Sequence, residues 1–299
     1  MTDAGVKDPA PATDLVVQGA ALAASGRQAV IEHLERVTGI AAVPAPCSGG
    51  VRFPRVVREL LEPRLAAAGP AAGAAAYDIA FVPAAARFDQ FALMAFDMDS
   101  TLITIECIDE LAALAGIKEV AAVTASAMRG EIPFAESLRR RVALLAGLPE
   151  SALERVYRER LRLSPGAETL LEVARAAGVA TLLVSGGFTW FTQRLRRRLG
   201  IDRDCANTLE IADGVLTGRL QGALVDGDAK AAALRAFAHE LGARREQVMV
   251  IGDGANDLPM MREGGVAVAF HAKPVVRAQA DFTLDHSGLE GVINLFPPR

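Results

Sequence analysis

Two acidic runs and one lysine hold the residue types whose spacing could do chemistry. Asp97 and Asp99 stand two apart in Phe96-Asp97-Met98-Asp99-Ser100-Thr101, where an apolar run ends. If a strand continued through them, both carboxylates would lie on one side. Two carboxylates in a poorly solvated crevice repel, so the pair needs a cation or a shared proton. The second run, Gly252-Asp253-Gly254-Ala255-Asn256-Asp257, also follows an apolar stretch. Hard oxygen ligands from two strand ends suit Mg2+, which takes carboxylates, waters and a substrate phosphate. No His or Cys stands near either run, which disfavours zinc. Plainer readings stay open: a pair of solvated loop acids for the first run, and for Asp257 complementation of a helix dipole.

Ser185-Gly186-Gly187 forms a third stretch between an apolar run and a helix expected from about Phe188. Glycines there let backbone approach a ligand, and a helix N-terminus offers free N–H groups to an anion. Lys230, in Asp226-Gly227-Asp228-Ala229-Lys230, could give a point charge to a phosphate oxygen or be an ordinary surface lysine.

The elements that must position these residues follow a repeated strand–loop–helix pattern. Uninterrupted apolar runs over 91–96, 179–184 and 247–251 each stop at one of the three polar loops, and 266–270 and 281–284 are shorter candidates. Continuous apolar strands separated by helices predict a parallel sheet covered on both faces, with ligands beyond its carboxyl ends. Helices expected at 104–115, 133–146 and 149–161 are inserted after the first of these strands, as a lid over the strand ends. Asp213-Gly214, between two β-like runs in 207–220, predicts a hairpin. Ahead of all this, residues 14–87 read as a small α+β module: a helix at 20–37, a break at 44–50, and a second helix from Pro54. Pro63 should end or kink that helix, an Ala/Gly-rich stretch covers 69–76, and a strand follows at 77–82. Residues 1–14 read as a disordered tail.

Composition sets the limits. The chain has 299 residues, 51% of them hydrophobic, and a net charge of −4, so no general electrostatic attraction to nucleic acid or an anionic membrane is expected. No apolar stretch is long enough to span a bilayer, and the N-terminus carries no secretory signal. The three cysteines are scattered without a CxxC pair, which suggests neither disulfides nor zinc and fits a reducing, cytoplasmic setting.

In order and spacing, DxDST, SGG, the lysine after an acidic loop and GDGAND resemble the haloacid dehalogenase-like phosphohydrolases, from about Asp89 onward. The resemblance implies an α/β fold: a Rossmann-like parallel sheet core, a helical cap inserted after the first core strand at about 103–165, and a small N-terminal α+β module. The domains would be 1–88 and 89–299. It implies that Asp97 attacks phosphorus and forms an aspartyl phosphate, while Asp99 protonates the leaving alkoxide and then activates water. Ser185, Lys230, Gly186 and Gly187 would hold the phosphoryl oxygens. Mg2+ would be held by Asp97, the Asp99 carbonyl and Asp253, with Asp257 and Asn256 in support.

The cap segment resembles the phosphoserine phosphatase branch of that family. There the residue matching Glu106 receives the substrate ammonium and that matching Arg141 its carboxylate, while Met128 and Phe134 match pocket-shaping residues. Helix geometry adds to one assignment: Phe134, Leu138, Val142 and Leu145 form an apolar face with Arg141 beside it. An inward arginine needs a partner, either a substrate carboxylate or a protein acid. Glu106 could equally complement a helix dipole. The resemblance thus implies hydrolysis of O-phospho-L-serine as the last step of serine biosynthesis. The alternatives are phosphotransfer to another hydroxyl, or action on another small metabolite such as phosphohomoserine. A homodimer and an amino-acid-sensing role for the N-terminal module are further expectations.

Overall fold

The computed structural model describes residues 12–19, 22, 27–68, 77–128 and 131–299. The chain divides into two compact units, Met1–Phe88 with Asp285–Arg299, and Asp89–Leu284. In the first unit the described elements are β1 (Thr13–Gln18), α1 (Arg27–Thr38), β2 (Val43–Pro44), β3 (Gly50–Val56), α2 (Arg58–Ala68) and β4 (Asp78–Pro83). They form an antiparallel sheet of order β2-β3-β1-β4. Leu15 and Val17 of β1 pack with Val30 and Leu34 of α1 and Leu61 of α2.

Three expectations for this unit need correction. Thr13 and Asp14, placed in a tail, open β1. The expected break is present as the turn between β2 and β3, but the helix expected from Pro54 gives way to β3 and starts at Arg58. Pro54 is tolerated in a strand because it sits at a bulge, where the register against β1 shifts between Thr13 and Leu15. Pro63 does not end α2, which runs on to Ala68. The one bond it forgoes would go to the exposed carbonyl side of a helix whose only buried residue is Leu61, where water can serve instead. The expected stretches 1–11, 20–21, 23–26 and 69–76 lie outside the described residues.

The second unit begins at β5 (Leu93–Phe96), all four residues buried, and continues with α3 (Cys107–Ala115), α4 (Glu119–Met128), α5 (Phe134–Leu144), α6 (Ser151–Glu159) and α7 (Ala167–Ala176). Then come β6 (Ala180–Phe188), α8 (Thr189–Leu199), β7 (Arg203–Ala212), β8 (Val215–Gln221), α9 (Gly227–Glu240), β9 (Val248–Gly252), α10 (Leu258–Glu263), β10 (Val266–Phe270), α11 (Pro274–Arg277) and β11 (Phe282–Leu284). The sheet order is β11-β10-β9-β5-β6-β7-β8, parallel except for the β7–β8 hairpin. Leu93 and Ala95 of β5 face one core, shared with Leu182, Val250 and Leu234, while Met94 and Phe96 are buried on the opposite face. A central strand covered on both sides explains the unbroken apolar run.

The cap is helical as expected, with α4 as an unanticipated member, and α3 begins three residues later than the expected Thr104. Its second attachment is the hairpin: Gly147 N donates to Leu216 O at 2.8 Å, Leu216 N to Leu148 O at 2.8 Å, and Glu150 N to Gly214 O at 2.8 Å. Gly218 (φ +81°) lets β8 press on the end of α5, since a Cβ there would lie 2.9 Å from Ala146 Cβ.

The last residues return to the first unit, although sequence placed them with the catalytic domain. Asp78, buried in β4, accepts from Asp285 N at 2.7 Å, His286 N at 3.0 Å and Ser287 Oγ at 2.6 Å. Then α12 (Gly291–Leu295) packs along β1. Arg52, also buried, bonds Asp14 at 2.8 Å and the carbonyls of Asn294 and Leu295 at 2.8 and 3.0 Å. Arg52→Ala strands a buried carboxylate and two carbonyls, so a loss of about 3 kcal/mol is expected. Hydrogen exchange should show it as lost amide protection in β1 and β3; undiminished protection there would contradict the role given to Arg52.

Candidate active site

The site forms where β5, β6 and β9 end, from the loops after β5 and β9 and from the last residues of β6. Immediately after β5 the chain turns sharply: Leu102 N bonds Asp97 O at 3.3 Å, Ile103 N bonds Met98 O at 3.0 Å, and Ser100 adopts φ 55°. The strand therefore stops before the two aspartates, and they do not share one strand face. Asp97 is buried, with Oδ1 accepting from Met98 N at 2.7 Å and from Lys230 Nζ at 2.8 Å. Asp99 turns toward the cap, and its Oδ1 accepts from Cys107 N, the first residue of α3, at 3.0 Å.

Lys230 is no surface lysine. It projects from the first turns of α9, is 0% exposed, and reaches Asp97 and Asp257 at 2.8 Å each. Asp226, at the start of α9, caps it by accepting from Ala229 N at 3.0 Å. Asp257 is equally buried; its second oxygen takes Gly254 N at 3.1 Å, so its carboxylate serves the site rather than capping α10. Gly252 permits this approach, because a Cβ there would lie 2.5 Å from Asp257 Oδ2. Asp253 is half-buried and accepts from Thr101 Oγ1 at 3.2 Å. Asn256 is half-buried beside Gly254.

Carboxylate oxygens of Asp97, Asp253 and Asp257 lie within 4.8 Å of one another, with a single ammonium among them. Three oxygen donors with excess negative charge and no His or Cys fit a hard divalent cation. The Asp99 carboxylate is not in that group. Burial pushes Asp97 well above the usual carboxylate range and Asp257 adds to it, while Lys230 draws it back. Burial, then Asp257 and Glu106, push Asp253 up to about 6. Burial followed by Glu106 pushes Asp99 up to about 7, against the pull of the Cys107 amide. Burial alone would lower Lys230, but Asp257 and Asp97 outweigh it and raise it.

The Ser-Gly-Gly stretch is part of β6 rather than a loop beyond it. Pairing with β7 jumps from Val184↔Cys205 to Phe188↔Asn207, so Ser185, Gly186 and Gly187 bulge opposite one residue. Ser185 is buried, and its Oγ accepts from Gly187 N at 2.8 Å, which engages that amide within the bulge. A Cβ on Gly187 would fall 2.6 Å from Asp99 Oδ2, and one on Gly186 would fall 2.9 Å from Phe134 Cζ. The glycines therefore admit Asp99 from one side and the cap from the other. Asn207 was missed from sequence. It is buried at 1% exposure and holds Gly186 O at 2.8 Å and Val225 O at 3.2 Å, and it accepts from Val225 N at 2.8 Å. Its signal was a lone amide inside a β-like run.

From the cap, Glu106 occupies the N-cap position of α3 without capping it; its Oε1 accepts from Ser100 Oγ at 2.8 Å. Arg141 points inward from α5. Burial lowers its pKa, opposed by the charges of Asp109, Glu106 and Asp99, and its Nε is buried without a hydrogen-bond partner. The Met128 side chain lies outside the described residues.

A family model for haloacid dehalogenase-like hydrolases matches residues 94–262, and the chain belongs to that family. Phosphoserine phosphatase of Polaromonas sp. (strain JS666) is 52% identical over 215 residues, 70% of this chain and 91% of that one. Among solved structures, a probable phosphoserine phosphatase from Vibrio cholerae is 36% identical with a TM-score of 0.77, covering 95% of this chain and 86% of that one. A substrate-bound phosphoserine phosphatase complex is also 36% identical, with a TM-score of 0.65 over 69% of this chain and 98% of that one. Within the hydrolases, then, the chain belongs with the phosphoserine phosphatases. Among the described residues no helix is long and apolar enough to cross a membrane.

Removing the ammonium should expose how much the acids depend on it. Lys230→Met is expected to destabilise the second unit by about 3–5 kcal/mol by leaving buried carboxylates uncompensated. Urea unfolding followed by Trp190 fluorescence measures this; wild-type stability would mean that the acids relieve one another without the lysine.

Proposed function

We propose that this protein hydrolyses O-phospho-L-serine to L-serine and phosphate through an aspartyl phosphate on Asp97, with Mg2+, as the final step of serine formation. The observation that carries this reading is Arg141, a half-buried cation on the cap whose Nε is buried without a hydrogen-bond partner and whose charge is opposed by Asp109, Glu106 and Asp99. A ligand with a carboxylate supplies what the protein leaves unpaired. Glu106 offers a counterpart for an ammonium, and the Asp97, Ser185 and Lys230 centre one for a phosphate. One small amino-acid phosphate carries all three groups.

Both bonds that orient Asp97 fall on Oδ1, so the opposite oxygen is the nucleophile. Its attack on phosphorus breaks the bond to the serine oxygen, and Asp99 delivers a proton to that oxygen as it leaves. Asp99 then takes a proton from the water that attacks the phosphorus of the aspartyl phosphate, returning Asp97 to a free carboxylate. Ser185 Oγ already accepts from Gly187 N, which leaves its own proton for a phosphoryl oxygen. The Gly186 amide supports the same oxygens, and Lys230 balances charge on Asp97 through both steps. Asp97, Asp253 and Asp257, with the Asp99 carbonyl, would hold Mg2+, which when bound neutralises phosphoryl charge. Asn256 supports the loop that carries two of these ligands. Phe134, against Gly186, closes the pocket from above and limits access of water.

Phosphate release over a panel of phosphorylated metabolites tests the reading. Phosphoserine should be turned over at least about 100-fold faster than sugar phosphates, by the value of a buried charge pair; equal rates would overturn the substrate. Asp97→Asn should fold normally and lose turnover, and an active variant would remove Asp97 from the nucleophile's role. Mg2+ should raise the melting temperature of the wild type, and Asp253→Asn should abolish that rise.

A further inference from the structure

The face of α5 that carries Arg141 holds a second unpaired donor. Ser137 stands four residues before Arg141, on the same side of the helix. It is 0% exposed, and its hydroxyl has no hydrogen-bond partner. A helical serine ordinarily relieves its hydroxyl on the carbonyl four residues back. Here that carbonyl, Pro133 O, takes the Ser137 backbone N at 3.0 Å, and the hydroxyl makes no bond to it. The opposite side of α5 behaves differently: Glu136 and Arg140 are exposed and pair with each other across one turn. Only the inward side keeps two buried donors, Ser137 Oγ–H and Arg141 Nε–H, without acceptors.

We infer that Ser137 is a specificity-determining residue that donates a hydrogen bond to the substrate carboxylate alongside Arg141. The inference rests on the reading of Arg141 given above. A carboxylate has two oxygens and about four acceptor sites, so it can take the arginine fork and a hydroxyl together. A hydroxyl beside an arginine is useful to an acceptor-only ligand group, and the substrate ammonium, being donor-only, is not one. Phe134, one turn earlier on the same helix, stands against Gly186 and so sets how deeply this face of α5 enters the pocket.

Ser137→Ala removes one oxygen from a buried position and is the mildest available test. Steady-state kinetics on O-phosphoserine and on O-phosphoethanolamine, which lacks only the carboxylate, separate the possibilities. The expected result is about a tenfold loss of kcat/KM for phosphoserine, carried by KM, as for a hydrogen bond to a charged group. Phosphoethanolamine should be unaffected, and adding Ser137→Ala to Arg141→Ala should cost nothing further. An equal loss on both substrates, or no loss on either, overturns the role of Ser137. Failure of the underlying reading looks different: the wild type would not prefer phosphoserine over phosphoethanolamine, or Arg141→Ala would leave that preference intact.

Discussion

The second unit is organised around one buried ammonium. Lys230 lies out of reach of water between Asp97 and Asp257, and each of these carboxylates belongs to a loop from a different strand. Without that charge, Asp97, Asp253 and Asp257 would be three carboxylates crowded in a space that disfavours even one. The lysine is therefore a structural tie between α9 and the ends of β5 and β9. Because an ammonium and a divalent cation draw on the same oxygens, the acids are organised before any ligand arrives.

Around this centre, the architecture consists of close approaches that side chains would prevent. Gly187 admits Asp99, Gly186 admits Phe134, and Gly252 admits Asp257. Asn207 locks the bulge that carries the first two glycines to the loop before α9, so β6, β7 and α9 share one buried hydrogen-bond junction. Charge draws the groups together, and missing Cβ atoms let them come near enough.

Much of this was legible from the residues. The unbroken apolar runs located the strands of the parallel sheet, since a strand buried on both faces has no reason to alternate. The polar stretches at their carboxyl ends marked the candidate site, although the Ser-Gly-Gly one lies within β6 and not in a loop beyond it. Local pattern was a poorer guide where tertiary contacts decide. Pro54 looked like a helix start, but a bulge opposite Asp14 makes room for it in β3. Thr104 looked like the start of α3, yet the helix waits for Cys107, whose amide is taken by Asp99. Asn207 looked ordinary because its partners lie 18 and 21 residues away along the chain, and the ion pair of Lys230 with Asp257 was hidden by a separation of 27. The final residues gave no hint of joining the first unit, because their partners Arg52 and Asp78 lie on strands more than 200 residues earlier.

The hydrogen bond from Cys107 to Asp99 makes the carboxyl below the cap also the anchor of the cap's first helix. The same joint holds Ser100 against Glu106, immediately before that helix. Any hinge that lifts the cap at this end must either break the Asp99 contact or drag the carboxyl out of line. Entry to the crevice and the aim of the Asp99 carboxyl are thus geared to one another: a lifted cap either takes the carboxyl with it or lets it go.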